Sequence, residues 1–453
     1  MSSWVIALAC LLLAQVGTAQ PDRQLLHDVT VIDVSAGRAV PHRDIVLAEG
    51  RIQAVRAAAK PDGHVLVLHA GGYVIPGLWD MHVHIAGISA DPRWSADVLF
   101  PQLLKQGITS IRDMGGDLET LKDWRDEIAA GKRLGPNLYF AGPMVTSQES
   151  KTSEMRTTRS AEDGRKAVDD LQAQGVDFIK ILHIPRVAYF ALADEARQKG
   201  VAFVGHLPYG ISVQEAAAAG QKSIEHINWS VLALDCSDDP QKFPADLFAT
   251  FQSNEKGGYE RVLDEAANHF SEAKCASVAT TMVEHGTWSV PTLVAEEIAA
   301  NLLNASPSDG YLTLLPEKLQ NEWSRERLKA DNPPDHLAWL QRQWKSDVRI
   351  AAFLHAHGVA MLPGSDSLDV LNFPGPSLHR ELELLVTIGM TPAEALRSAT
   401  LDAARFMGKD NDAGSIEPGK VADLVVLSAN PLENISNTRQ IELVISHGVA
   451  VKR

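Results

Sequence analysis

The 453-residue sequence is short of three things: cysteine, of which there are three, aromatic residues, at 6%, and positive charge, with 42 Lys and Arg against 57 Asp and Glu for a formal net charge of −15. Three cysteines are too few for a disulfide scaffold or a thiolate zinc cluster. The acidic balance leaves no basic field to neutralise phosphates, which argues against nucleic acid as a partner. No apolar run reaches the roughly 18 residues that span a bilayer. The longest, Trp4 to Ala14, has eleven, so no transmembrane segment is expected in the mature chain. What is present is 45% hydrophobic and 22% charged residues, a composition that can bury a large core and does not suit a disordered or coiled-coil protein.

The eleven-residue run sits where a secretory signal belongs and is followed by Gly17-Thr18-Ala19, small residues that suit signal peptidase. Residues 1–19 are therefore expected to be a signal peptide and the protein to be secreted or periplasmic. A buried first helix is the alternative reading, and lipoprotein cleavage before Cys10 fits less well because only about five apolar residues precede it. The mature chain keeps Cys236 and Cys275, which an oxidising compartment is expected to pair as a disulfide.

From Leu25 to Leu68 the apolar residues alternate over short stretches separated by turns, and KVADLVVLS and QIELVISHGVAVKR repeat that texture at the C-terminus. These ends, 20–72 and 413–453, are expected to form one small β-sandwich domain. Between them, eight short apolar runs alternate with helical patterns: YVIPGLWDMHVH, GITSIRDMGG, NLYFAGPMV, VDFIKIL, VAFVGH, KSIEHI, TWSVPTL and VAMLPGSDS. Fully apolar strands alternating with helices read as a parallel sheet covered by helices. Eight such units predict an α/β fold of the TIM (β/α)8 barrel type over 73–412. Helix starts are marked by Ser160, by Ser212 with Glu215, and by Thr391 with Glu394. Two connections, about 228–287 and 294–358, are too long for simple crossovers and are expected to be helical insertions at the barrel mouth.

His82 and His84 close the first run as His-Val-His, and on a strand residues i and i+2 face the same side, where both imidazoles could hold one metal ion. The pair His355 and His357 ends a helical pattern, where i and i+2 diverge, and carries no such meaning. Lys180 lies inside an apolar strand, where an ammonium needs a partner. His206, His226 and Asp366 each fall at or near the C-terminal end of a predicted strand, the end at which this fold builds its active sites.

These residues, together with Tyr73-Val-Ile-Pro-Gly-Leu-Trp-Asp-Met-His-Val-His, Gly364-Ser365-Asp366 and the segment from Gly414 to Leu424, resemble the amidohydrolase superfamily. The most similar branch is the imidazolonepropionase-like metal-dependent hydrolases that include Xaa-Pro and Xaa-Arg dipeptidases. The resemblance covers nearly the whole mature chain, outside the two long connections. Relatives often carry a tyrosine where this chain has Leu182, followed by His183, a departure that bears on substrate preference. The resemblance implies two divalent metal ions, zinc favoured. His82, His84 and Asp366 would hold the first and His206 and His226 the second, with Lys180 bridging them as a carbon dioxide-derived carbamate. It further implies a metal-bridging hydroxide as nucleophile and Asp366 as the catalytic proton carrier.

Substrate-contact candidates are Arg112, His183, Arg186 and Tyr209, with Arg112 or Arg186 as the cation for a substrate carboxylate; His379 is as readily structural. The expected activity is amide hydrolysis in small substrates, dipeptides or N-acyl amino acids, in a pocket walled or roofed by the long connections. Ester, lactone or organophosphate hydrolysis at the same site is the alternative, and a non-catalytic interaction protein is a third reading. The expected partner is a small-molecule or short-peptide substrate, with a homo-oligomer allowed.

Overall fold

The computed structural model describes residues 23–62, 65–86, 92–227, 231–253, 255–304 and 311–451, so the expected signal peptide and Cys10 lie outside the described residues. The first strands are β1 (Gln24–Asp33), β2 (Arg38–Ala48), β3 (Arg51–Ala57), β4 (Leu66–Ala70) and β5 (Tyr73–Pro76). The central block carries β6 (Leu78–Val83), β7 (Ile108–Asp113), β8 (Asn137–Phe140), β9 (Met144–Thr146), β10 (Met155–Thr157), β11 (Ile179–Ile181), β12 (Phe203–Gly205), β13 (Ser223–Glu225) and β14 (Trp288–Val290). The chain ends with β15 (Leu424–Leu427), β16 (Ile441–Ser446) and β17 (Val449–Ala450).

Both chain ends contribute to one eight-stranded sheet, in the order β17-β16-β15-β5-β1-β2-β3 with β4 on β1. Leu26, Val29, Ile45, Leu47, Leu424 and Ile445 form its buried cluster. The strand β5 belongs here, paired antiparallel to β15, although its residues open the first run of the expected barrel. Pro76-Gly77 is where the chain leaves this sheet: a Cβ at Gly77 would lie 2.0 Å from Thr109 Oγ1, so only glycine lets the backbone pass.

The central strands are parallel and lie in two sheets, β6-β7-β8 and β10-β9-β11-β12-β13-β14. Every residue of β6 and β7 is buried, as expected for parallel strands covered on both faces. The expected caps at Ser160, Ser212 and Thr391 are all present as capping boxes. The third run is broken at Ala141-Gly142-Pro143, so that β8 and β9 join different sheets. The eighth run is not a regular strand. It makes only isolated parallel bridges, Met361 with Ser289 and Ser367 with Val83. Two features disrupt it: Pro363 offers no N–H, and the Ser365 N–H and hydroxyl both donate to the Asp80 carboxylate of β6, at 2.9 and 2.6 Å, instead of to a backbone carbonyl of that strand.

Both long connections are helical, with Lys242–Ser253, Gly258–Asn268 and Glu272–His285 in the first and Leu293–Ala300 and Pro334–Ala356 in the second. Cys236 and Cys275 are joined by a disulfide across 39 residues of the first connection. Replacing both by serine is expected to lower unfolding free energy by roughly 4 kcal/mol, the loop-closure value for that length, measured by denaturant titration. Next to the bridge, Asp235 is buried and accepts from the Val213 N–H at 2.8 Å, and burial, with the charge of Glu215 adding to it, pushes its carboxyl from 3.8 up to about 7. A folded-state pKa above the unfolded one means that the folded chain holds the proton more tightly. Between about pH 4 and 7 this group's contribution to stability therefore falls as pH rises. Asp235→Asn should flatten that part of the stability profile; an unchanged slope would remove Asp235 as its source.

Candidate metal-centred active site

Six side chains at the C-terminal ends of the parallel strands converge on one cavity of about 290 Å³, which His84, Lys180, His206, His226 and Asp366 line and which His82 backs. Strand alternation brings His82 and His84 to the same side of the β6 end, with ring centroids 5.3 Å apart. The rings of His82 and His226 lie 4.7 Å apart and those of His206 and His226 5.0 Å. Asp366 Oδ1 stands 3.3 Å from His82 Nε2, in a geometry that makes no hydrogen bond, and 3.5 Å from His84 Nε2. Glycine is required beneath this ring of ligands, because a Cβ at Gly364 would lie 2.6 Å from that of His82.

Burial and the neighbouring Lys180 charge push the imidazoles down, His84 to about 4 and His82 and His206 well below the ordinary histidine value. Each ring is therefore neutral and keeps a lone pair. Burial also drives the Lys180 ammonium down to about 8 and the Asp366 carboxyl up, with Asp369 adding to the latter. The hydrogen bonds sort the ring nitrogens. His82 Nδ1 faces Glu225 Oε2 at 2.9 Å and His84 Nδ1 faces the Gly115 carbonyl at 3.2 Å; both partners are pure acceptors, so Nδ1 carries the proton and Nε2 stays free.

His82 Nε2, Lys180 Nζ and His206 Nδ1 are buried and have no hydrogen-bond partner, an expensive arrangement unless something else binds them. His82, His226 and Asp366 offer ligand atoms that all lie within 4.8 Å of one another. Neutral nitrogens, a carboxylate and unsatisfied buried atoms fit a divalent cation.

The Amidohydrolase family profile matches residues 73–451. The chain belongs to the amidohydrolase family. It is 26% identical to ochratoxinase of Aspergillus niger over 404 residues, covering 81% of this chain and 72% of that protein. It is 45% identical to imidazolonepropionase of Geobacillus sp. (strain WCH70) over 391 residues, covering 76% of this chain and 89% of the relative. Among solved structures, a Xaa-Pro dipeptidase with bound methionine superposes with a TM-score of 0.68 at 20% identity, over 94% of this chain and 99% of that one, and so shares the fold. This amidohydrolase is accordingly a hydrolase with an α/β fold, of a family generally dependent on metal, and the reading as a non-catalytic interaction protein is set aside.

The substrate-contact candidates fare differently. Arg112 is fully buried behind His82: its Nη2 lies 2.9 and 2.8 Å from the two Glu225 oxygens, and its Nε donates to the Met81 carbonyl at 2.6 Å. It cannot meet a substrate carboxylate. Arg186 is half-exposed and paired with Glu215 at 2.6 Å and with the Gly210 carbonyl, away from the cavity lining. Both cations are spent on nearer acceptors. His183 and Tyr209 are stacked, centroids 3.9 Å apart, with the His183 ring 5.5 Å from that of His206. His379 is structural, bound to Thr438 Oγ1 and the Gln106 carbonyl. Among the described residues, none from the two long connections lines the cavity; Tyr209 packs against the cluster of Trp339 and Val262, so the connections support the wall from one layer out.

Glu225, Asp80 and Asp369 were not singled out by the sequence. The visible signal for the first two was a carboxylate inside an otherwise apolar strand, the same argument that singled out Lys180. Removing Arg112 as Arg112→Ala leaves Glu225 buried without its cation and should cost about 3–5 kcal/mol of stability, measured by chemical denaturation. A variant with native stability but a raised KM would restore Arg112 as a substrate contact.

Proposed function

We propose that this amidohydrolase is an exported, binuclear metal-dependent enzyme that cleaves amide bonds of small substrates, dipeptides or N-acyl amino acids. The observation that carries this reading is the convergence of four imidazoles, Lys180 and Asp366 on one cavity, with buried nitrogens left unsatisfied. In this reading His82, His84 and Asp366 would hold one ion and His206 and His226 the other, with Lys180, as a carbamate, available to both. The low proton affinity of buried Lys180 supports the carbamate, since a neutral amine is the form that adds carbon dioxide. Ions bound there, zinc favoured, would supply Lewis-acid chemistry and a water of lowered pKa. Asp366 takes a proton at its carboxylate and passes it to the leaving amine.

The (β/α)8 barrel is part of this reading, with the two parallel sheets as arcs of one closed wall. The bridges at Met361–Ser289 and Ser367–Val83, and the Asp177 N–H bond to the Phe140 carbonyl, support it by linking the arcs. The chain-end strands, paired as one eight-stranded sheet, make the companion domain.

A cavity of about 290 Å³ suits a dipeptide-sized molecule, and Met144, Leu182 and Leu368 give it apolar walls. With Arg112 and Arg186 engaged elsewhere, carboxylate recognition has lost the cations expected for it. The absence of an arginine from the described lining favours, as a second reading, neutral esters or lactones.

Elemental analysis of protein reconstituted with zinc and bicarbonate should give two ions per chain, and a library of dipeptides, N-acyl amino acids, lactones and aryl esters should show amides as the better substrates. Lys180→Ala should lose metal and activity together. Well under one ion per chain, or retention of both properties by the variant, would overturn the metal centre; faster cleavage of esters than of any amide would select the second reading.

A further inference from the structure

Thr292 opens the helix Leu293–Ala300 at the position where a threonine hydroxyl ordinarily accepts from a first-turn N–H. It makes no such bond. The residue is fully buried and its backbone is left-handed, with φ of +48°, a conformation that a β-branched side chain adopts only under constraint from its surroundings. The hydroxyl points instead at the metal-site candidate His226: Thr292 Oγ1 donates its single proton to the Pro291 carbonyl at 2.8 Å and lies 2.6 Å from His226 Nδ1. A hydroxyl that gives its proton to the carbonyl, which can only accept, is left to accept from the ring, the arrangement in which Nδ1 carries hydrogen and Nε2 keeps the lone pair. The other neighbour of Nδ1, Asp366 Oδ2, is 3.8 Å away and beyond hydrogen-bond reach.

The cap that Thr292 does not supply comes from another helix. Glu381, buried in Pro376–Thr387, accepts the Val294 N–H through Oε2 at 2.8 Å. The helix start is thus satisfied from outside, and the threonine is free to turn the other way.

We propose that Thr292 is a positioning residue that fixes the tautomer and ring angle of His226, and that Glu381 makes this possible by taking over the helix cap. The proposal rests on the reading of His226 as a metal ligand, and it deepens that reading by naming what prepares the ligand before metal arrives. His82 and His84 are prepared by direct acceptors, a carboxylate and a carbonyl; His226 is prepared by a relay of hydroxyl and carbonyl held in a left-handed turn. Serine can keep the hydroxyl, and valine keeps the shape without it.

The test uses the full chain, first free of metal. Nitrogen-15 spectra of the imidazoles, with the His226 signals identified by their loss in His226→Gln, should show a single Nδ1–H tautomer for His226 in the wild type and in Thr292→Ser. Thr292→Val should show mixed tautomers, and so should Glu381→Leu, although residue 381 does not touch the ring. Zinc affinity, read by chelator competition, should weaken about 10- to 100-fold in Thr292→Val and Glu381→Leu and recover in Thr292→Ser. If Thr292→Val fails to fold, Thr292→Ala takes its place with the same expected spectrum. A single unchanged tautomer and zinc affinity within twofold of wild type in the valine or alanine variant would overturn the proposal, as would loss of the tautomer in a folded serine variant. Absence of zinc binding in the wild type would overturn the metal reading instead, and the metal-free spectra would still decide the role of Thr292.

Discussion

Burial of Lys180 among uncharged rings is the constraint on which the rest of the site depends. An ammonium with no hydrogen-bond partner in the middle of a fully buried strand is costly, and its charge in turn holds down the proton affinity of His82, His84, His206 and His226. The two effects reinforce each other: neutral imidazoles give the lysine no counter-charge, and the lysine keeps the imidazoles neutral. Asp366 is the nearby anion that also faces the cavity, yet its own burial pushes its carboxyl towards the protonated form. Once Lys180 gives up its proton, the cluster is a set of lone pairs without a positive charge, which is what a divalent cation provides.

The hydrogen bonds one layer behind show the same economy. Glu225 receives Arg112 on both oxygens and the Ser223 hydroxyl, and still accepts from His82. Without Arg112 the carboxylate would be an uncompensated charge beneath the site; without Glu225 the arginine would be one. A buried pair of this kind adds little net stability, since desolvation offsets its attraction. What it does add is direction, holding a histidine ring and its tautomer at one angle.

The parts of this design that obey simple periodicity were legible in the sequence. His82-Val83-His84 at the end of an apolar run could be placed on one side of a strand without any structure, and Lys180, His206, His226 and Asp366 followed from their positions at run ends. The chain-end strands were legible through their alternation, though pairing moved Tyr73–Pro76 to the end sheet, because an apolar four-residue stretch carries no mark of which sheet will take it. The residues that misled were the long cations. Arg112 and Arg186 could reach many acceptors, and sequence cannot say that Glu225, on a strand of the other parallel sheet, or Glu215, 29 residues on, would reach them first. Thr292 was invisible for a different reason: its role comes from a backbone angle and from a glutamate 89 residues later supplying a cap.

The chain-end sheet and the site divide the ends of the parallel strands between them. The Gly77 N–H donates to the Asp423 carbonyl just before β6, and Asn137, the first residue of β8, donates to the Asp423 carboxylate at 2.8 Å and meets His447 Nε2 at 2.9 Å. All three contacts lie at strand starts, whereas His84, His206 and His226 lie just beyond strand finishes and Lys180 one residue short of one. A strand pinned at its start by the terminal sheet cannot slide along its length. A one-residue slip of β6 would turn His82 and His84 away from the cavity. The contribution of the terminal sheet to the site is therefore register: it fixes where β6 and β8 begin, and so which residues stand at their other ends.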